Sequence, residues 1–274
     1  MPKRKINFFL ISILIVSGLA FSNYFSSAKQ SGDDGQGDKA RGKNIEREYG
    51  DNEIPEADGD YKVRGDSTAR VRVIIHKERG KTPAPSSLVC SDPDASAPVD
   101  WAGWKLPASW TYKINPASAP ASVGRTNFVA IALSSFTAWA SQSGISFTRL
   151  ADTTATKKSR DNQNIVVWGT TSGTALGVTY IWYNSLTKMA VELDTILNKQ
   201  KPWSWTTYAA GLCANPTTYD AQNILTHEIG HWLGLDDEYD SLHLNSTMYG
   251  YGSKGEIKKD TLTTGDIAGI KAIY

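Results

Sequence analysis

The sequence predicts an α/β layered domain, and three observations carry the prediction. Phe128, Ile131, Leu133, Phe136 and Trp139 recur at helical spacing across about 122–143. Short β-branched and aromatic runs flank that helix at 110–114, 145–150, 164–168, 177–183 and 189–197. A second helical pattern covers 219–233. Gly144 stops the first helix, since glycine adopts the left-handed backbone of a helix end without strain. Thr217 and Asp220 stand where N-terminal caps of the second helix belong, and Gly234 follows it as a stop.

The chain of 274 residues carries a net charge of +1, which gives no argument for a nucleic-acid partner. Lys3, Arg4 and Lys5 precede an apolar run from Ile6 to about Phe21, and small residues follow at Ser26-Ser27-Ala28. Residues 1–28 therefore read as a cleaved export signal, with an uncleaved membrane anchor as the alternative. Both readings put the body of the protein outside the cytoplasm, secreted or at the cell surface. Residues 29–65 are polar, charged and glycine-rich, the composition of a flexible spacer. Ala69 to His76 alternates like one strand, so 29–100 is expected to be a spacer or a pro-segment, with the main folded domain at 101–274. Two cysteines in an exported chain, Cys90 and Cys213, read first as one disulfide.

The chemistry concentrates in His227-Glu228-Ile229-Gly230-His231. Residues four apart share one helix face, so both imidazoles can reach one zinc ion at ~2.0–2.1 Å. Glu228 adjoins the first ligand and can take a proton from a water held by that metal. The turn at Gly234 brings Asp237 back toward the metal as a third ligand through oxygen. His243 is the competing third ligand, with Asp236 behind it, and His76 reads as an exposed polar residue.

The run His227-Glu228-x-x-His231-x-x-Gly234-x-x-Asp237 resembles the metzincin zinc signature. Ser246-Thr247-Met248-Tyr249 resembles the methionine turn of that family. Trp110 to Ile114 and Leu262 to Tyr274 resemble the first strand and last helix of matrixins. Aspartate in place of the usual third histidine resembles snapalysin-like enzymes. The resemblance implies a twisted, mostly parallel five-stranded sheet with an active-site helix and a C-terminal helix. It implies a zinc-dependent endopeptidase acting on proteins or peptides through a zinc-bound water activated by Glu228. Gly177, Val178, Thr179 and Tyr180 would be the edge strand that pairs with extended substrate. Met248 would support the metal site from below, Asp266 its floor, and Tyr249 or Tyr251 would donate to the oxyanion or simply pack. Cys90 could alternatively cap the zinc as a free thiolate. Calcium is common in related enzymes. Asp92, Asp94, Asp194 and Asp220 could bind it, but no D-x-D-x-D-G loop supports that over solvated or capping carboxylates. The expected protein is a monomer. The rival readings are a zinc-bearing adhesion module without turnover and an aromatic cell-wall binder that uses Trp203 and Trp205; the intact Glu228 stands against the first.

Overall fold

The computed structural model describes residues 48–49, 53–80, 93–171, 173–206 and 213–274. The expected export signal lies outside the described residues, as does Cys90 and with it the pairing to Cys213. Among the described residues, no helix is long and apolar enough to cross a membrane.

Three strands come first: β1 (Glu48–Tyr49), β2 (Gly59–Val63) and β3 (Asp66–Glu78). Then follow β4 (Ser109–Ile114), helix α1 (Arg125–Ser143), β5 (Ser146–Arg149), β6 (Ile165–Gly169), β7 (Ala175–Asn184) and β8 (Ala190–Asn198). The last third holds the two-residue strands β9 (Trp203–Ser204) and β10 (Tyr219–Asp220), helix α2 (Ala221–Trp232), β11 (Tyr251–Gly252) and helix α3 (Thr264–Ile273).

Strands β5-β4-β6-β8-β7 lie in that spatial order. The first three pairings are parallel, and β7 runs antiparallel to β8. This is the mostly parallel five-stranded sheet that the resemblance implies. Helices α1 and α2 cover one face through Phe128, Phe136, Trp139, Ile224, Ile229 and Trp232, all buried. A second apolar cluster on Val71, Val73, Val167, Val178, Tyr180 and Trp182 fills the other face. Strand β7 is covered on both faces, which is why nine of its ten residues are buried.

The sheet is larger than expected, because β1, β2 and β3 extend it beyond β7 and β11, paired to β3, brings it to nine strands. The polarity of 29–65 concealed this. Among its described residues, Asp58 and Asp60 are pair partners of the next strand. Asp60 accepts from Arg70 at 2.9 Å, and Asp58 pairs with Arg72 at 2.6 Å. Tyr183 of β7 donates to the second Asp60 oxygen at 2.9 Å. Tyr61 and Val63 then supply the apolar contacts that bind the hairpin β2–β3 to the sheet.

Six tryptophans are almost wholly buried, and several hold the active-site helix in place. Trp139 donates to the Thr226 carbonyl at 2.7 Å and Trp104 to the His231 carbonyl at 2.9 Å. Trp203, one of the two suspected wall-binding residues, belongs to the core at 2% exposure. Trp205 is partly buried and donates to Gln222 at 3.1 Å.

Helix α3 fixes the methionine turn. Thr263 and Asp266 form a reciprocal cap at its start. The Asp266 carboxylate also accepts from the Ser246 hydroxyl at 2.6 Å and from the Thr247 and Met248 amides at 3.0 and 3.3 Å. One buried carboxylate therefore ties two segments about twenty residues apart. Asp266→Ala leaves several buried donors unpaired, and each costs ~1–3 kcal/mol. Urea denaturation should show a loss of about 3 kcal/mol or more. A loss below about 1 kcal/mol would mean that Asp266 is only a helix-start residue.

Candidate metal centre

Helix α2 begins where the sequence places its cap. Asp220 Oδ1 accepts from the Gln222 and Asn223 amides at 2.9 and 3.1 Å. Thr217 does not cap; its amide and hydroxyl both turn to Asn215 Oδ1 at 3.0 and 2.8 Å. At the other end Gly234 takes φ +90°, and a side chain there would run into the Trp104 carbonyl. The chain then doubles back, with the Leu235 amide bonded to the Gly230 carbonyl at 3.1 Å.

This reversal sets the geometry of the centre. His227 Nδ1 lies 2.8 Å from the Thr247 carbonyl and His231 Nδ1 2.9 Å from the Leu235 carbonyl. A carbonyl can only accept, so each Nδ1 carries a proton and each Nε2 keeps its lone pair. The two Nε2 atoms are 3.1 Å apart. Asp237 Oδ1 stands 3.1 Å from the first and 3.5 Å from the second. It has no hydrogen-bond partner although it is buried. Tyr239 donates to the other oxygen, Oδ2, at 3.1 Å and so orients the carboxylate. Burial alone would raise the Asp237 pKa, but the neighbouring His231 and His227 hold it well below the ordinary value.

A tetrahedral zinc with bonds of ~2.0–2.2 Å spaces its ligands about 3.3–3.6 Å apart. Three converging donors with no protons between them match that spacing, so the residues fit zinc. His243, the competing ligand, lies elsewhere. Its Nδ1 pairs with Asp240 at 2.8 Å and lies 3.8 Å from Glu238.

Glu228 is fully buried beside this triangle. Its Oε2 accepts from the Thr179 hydroxyl at 2.6 Å, and Oε1 has no partner. Thr179 spends its proton on Glu228, so Thr195, 2.7 Å away, donates to Thr179. Trp232 Nε1 in turn donates to Thr195 at 2.9 Å. The chain of donors runs from Trp232 through both threonines to the carboxylate. Burial pushes the Glu228 pKa up to about 7, opposed by charge on His231 and by the Thr179 bond. Gly177 permits the close approach of β7, since a Cβ there would overlap Glu228 Oε1.

The expected edge strand thus divides in two. Gly177 and Thr179 face Glu228, whereas Val178 and Tyr180 point into the opposite apolar cluster. Met248 is fully buried beneath Gly230 of α2. Tyr249 and Tyr251 pack edge to face at 5.9 Å, and Tyr251 also meets Tyr239. Of the four carboxylates weighed for calcium, Asp92 lies outside the described residues. Asp94 accepts from the Thr264 amide and hydroxyl at 2.8 Å each. Asp194 accepts from the Ser159 and Ile165 amides, and Asp220 caps α2.

The expectation for His76 is overturned. It is buried rather than exposed, with its ring edge-on to His227 at 3.8 Å between centroids. Its Nδ1 lies 3.8 Å from Glu228 Oε1. Alternation along β3 could have signalled this, because His76 shares a face with the buried Ile74. Lys259, whose Nζ lies 3.2 Å from His76 Nε2, carried no sequence signal, nor did Tyr239.

Thr179→Val keeps the side-chain shape and strips Glu228 Oε2 of its donor. An unsatisfied buried group costs ~1–3 kcal/mol, so kcat should fall about tenfold. Bound zinc should stay at its wild-type level. Unchanged kcat would remove Thr179 from the account of Glu228.

No curated protein matches the chain. A family model, the matrixin peptidase family, matches residues 103–274 and so spans the helix, both histidines and the methionine turn. With that match over more than half its length, the chain belongs to the matrixin family and is a zinc metalloendopeptidase.

Proposed function

We propose that the protein is an exported endopeptidase whose zinc is held by His227 Nε2, His231 Nε2 and Asp237 Oδ1, with Glu228 as the proton acceptor. The observation that carries this reading is the triangle of unprotonated donors, 3.1–3.5 Å on a side, beside the unpartnered Glu228 Oε1. When bound, zinc polarises the substrate carbonyl and makes water acidic enough to give up a proton near neutral pH. The chain's own residues do the rest. The backbone bonds from His227 and His231 fix both rings and their tautomers. Tyr239 holds Asp237 with one oxygen toward the histidines. Thr179 fixes Glu228 Oε2, which leaves Oε1 free to accept the water proton and later to return it to the leaving amine.

A carboxylate third ligand adds negative charge where a histidine would add none. The reading therefore includes a zinc that is a somewhat weaker Lewis acid than one held by three histidines. Export rests on the basic, apolar and small-residue order of 1–28, and the substrate is an extended protein or peptide outside the cytoplasm.

The test is casein hydrolysis by the zinc-loaded exported protein before and after limited proteolysis, with bound zinc quantified. Glu228→Gln should keep about one zinc per chain and lose on the order of 10²–10⁴ in kcat. Asp237→Ala should lose zinc to a chelator concentration that wild type withstands. Full zinc binding without hydrolysis in either form would contradict the peptidase reading. Full zinc retention by Asp237→Ala would remove that residue from the ligand set.

A further inference from the structure

A cavity of about 590 Å³ lies where residues 98–105 meet the end of α3 and the turn that joins β7 to β8. Val99 and Ile273 bring apolar surface to it, and Trp101 adds an indole that is 51% exposed. None of the lining residues is a candidate zinc ligand, Glu228 or a member of 177–180. The volume falls within the ~300–1,000 Å³ usual for sites that take small ligands.

Hydrogen bonds hold its walls in place. Trp101 Nε1 donates to the Trp104 carbonyl at 2.6 Å, so the ring is pinned while half of the residue faces water. The Asp236 amide donates to the Asp100 carbonyl at 2.9 Å and the Ala102 amide to the Gly234 carbonyl at 2.7 Å, which ties this segment to the reversal after α2. In the β7–β8 turn, Asn184 Oδ1 accepts from the Leu186 and Thr187 amides at 2.9 Å each, and the Asn184 carbonyl accepts from the Lys188 amide at 2.8 Å. Lys188 is held there at φ +61°, a left-handed backbone that residues with a Cβ rarely take. The Lys105 amide donates to the Lys188 carbonyl at 2.8 Å, so the two lysines are neighbours. A site fixed in this way costs a ligand little ordering of the protein.

Charge narrows the ligand. Lys105 and Lys188 line the cavity against a single acid, Asp100. Both lysines are exposed, and neither ammonium has an ion-pair or hydrogen-bond partner among the described residues. Two uncompensated ammoniums beside an apolar, aromatic surface are complementary to an anion with an apolar body. An inorganic anion leaves Trp101, Val99 and Ile273 uncovered, and an uncharged apolar group leaves the lysines without a counter-charge. The last residue of a peptide meets both conditions, because its α-carboxylate stands one bond from the carbon that bears its side chain.

We propose that this cavity binds the C-terminal end of a peptide, with the free α-carboxylate on Lys105 and Lys188 and an apolar or aromatic final side chain against Trp101. This rests on the peptidase reading only for the source of such ends, since each cleavage creates one. The cavity is a product-end site separate from the zinc, and a carboxylate bound in it needs no metal.

The test is calorimetric titration of the zinc-loaded full chain carrying Glu228→Gln, which leaves the probe intact. The probe is acetyl-Ala-Ala-Phe, as the free acid and as the carboxamide. The free acid should bind about tenfold more tightly, as expected for hydrogen bonds between charged groups. Lys105→Gln together with Lys188→Asn should abolish that preference; asparagine tolerates the left-handed backbone at 188. Trp101→Ala should weaken the free acid about fivefold. Removal of zinc by a chelator should leave the preference in place. Equal affinity for acid and carboxamide overturns the proposal. A preference that disappears with the zinc and survives the lysine substitutions also overturns it, because the carboxylate then sits on the metal. Inorganic phosphate that binds as tightly as the free acid, with no effect of Trp101→Ala, reduces the cavity to an anion site and overturns the role of the apolar end. A lysine-dependent preference for the free acid, with no casein hydrolysis by the wild-type chain, would support the cavity and sink the peptidase reading.

Discussion

Two imidazoles that each give their Nδ1 proton to a backbone carbonyl are the constraint on which the rest of the centre depends. That single arrangement decides the tautomer, the ring orientation and the position of both Nε2 lone pairs. It also explains why structure so far from the metal position bears on it. The Thr247 carbonyl is fixed by the turn that Asp266 holds from α3, and the Leu235 carbonyl is fixed by the reversal at Gly234. Trp104, ahead of β4, and Trp139, on α1, each tie down a carbonyl of the helix. Buried polar groups of this kind are costly unless every member is paired, so the network is satisfied almost throughout. Asp237 Oδ1 and Glu228 Oε1, buried without a partner as are His76 Nδ1 and Asn223 Nδ2, are the atoms to which the chemistry assigns an external one.

The second constraint is the edge of the sheet. A strand with unpaired amides and carbonyls is a template for any extended chain, which suits a peptidase only if the edge can be opened. Here β3 pairs antiparallel with β7 and parallel with β11, and His76 near its end meets Lys259. The ion pairs Arg70–Asp60 and Arg72–Asp58 stiffen the hairpin itself.

Much of this was legible in the sequence, and the parts that were not share a cause. The helices and the central strands follow from periodicity, because each buries one or both faces in a core that demands apolar residues at fixed intervals. The centre was legible because metal chemistry restricts residue types and the helical repeat restricts their spacing. Strand β2 was not, because Asp60 and the preceding Asp58 are neutralised by partners on β3 and composition alone records charge without pairing. His76 was read as exposed for a related reason. Its burial depends on a strand pairing across about a hundred residues, and a lone histidine carries no trace of that. Lys259 and Tyr239 act through one atom each at the end of a side chain, in segments whose shape is set by neighbours rather than by local pattern. Asp237 could be favoured over His243 from the Gly234 turn, yet only the folded chain shows His243 committed to Asp240.

The most direct test of the central claim is anomalous diffraction at the zinc edge from crystals of the zinc-loaded full chain. A single peak within ~2.0–2.2 Å of His227 Nε2, His231 Nε2 and Asp237 Oδ1 is the result this account predicts. A peak on Glu238, Asp240 and His243 instead, or zinc bound by the two histidines with Asp237 turned away, would contradict it.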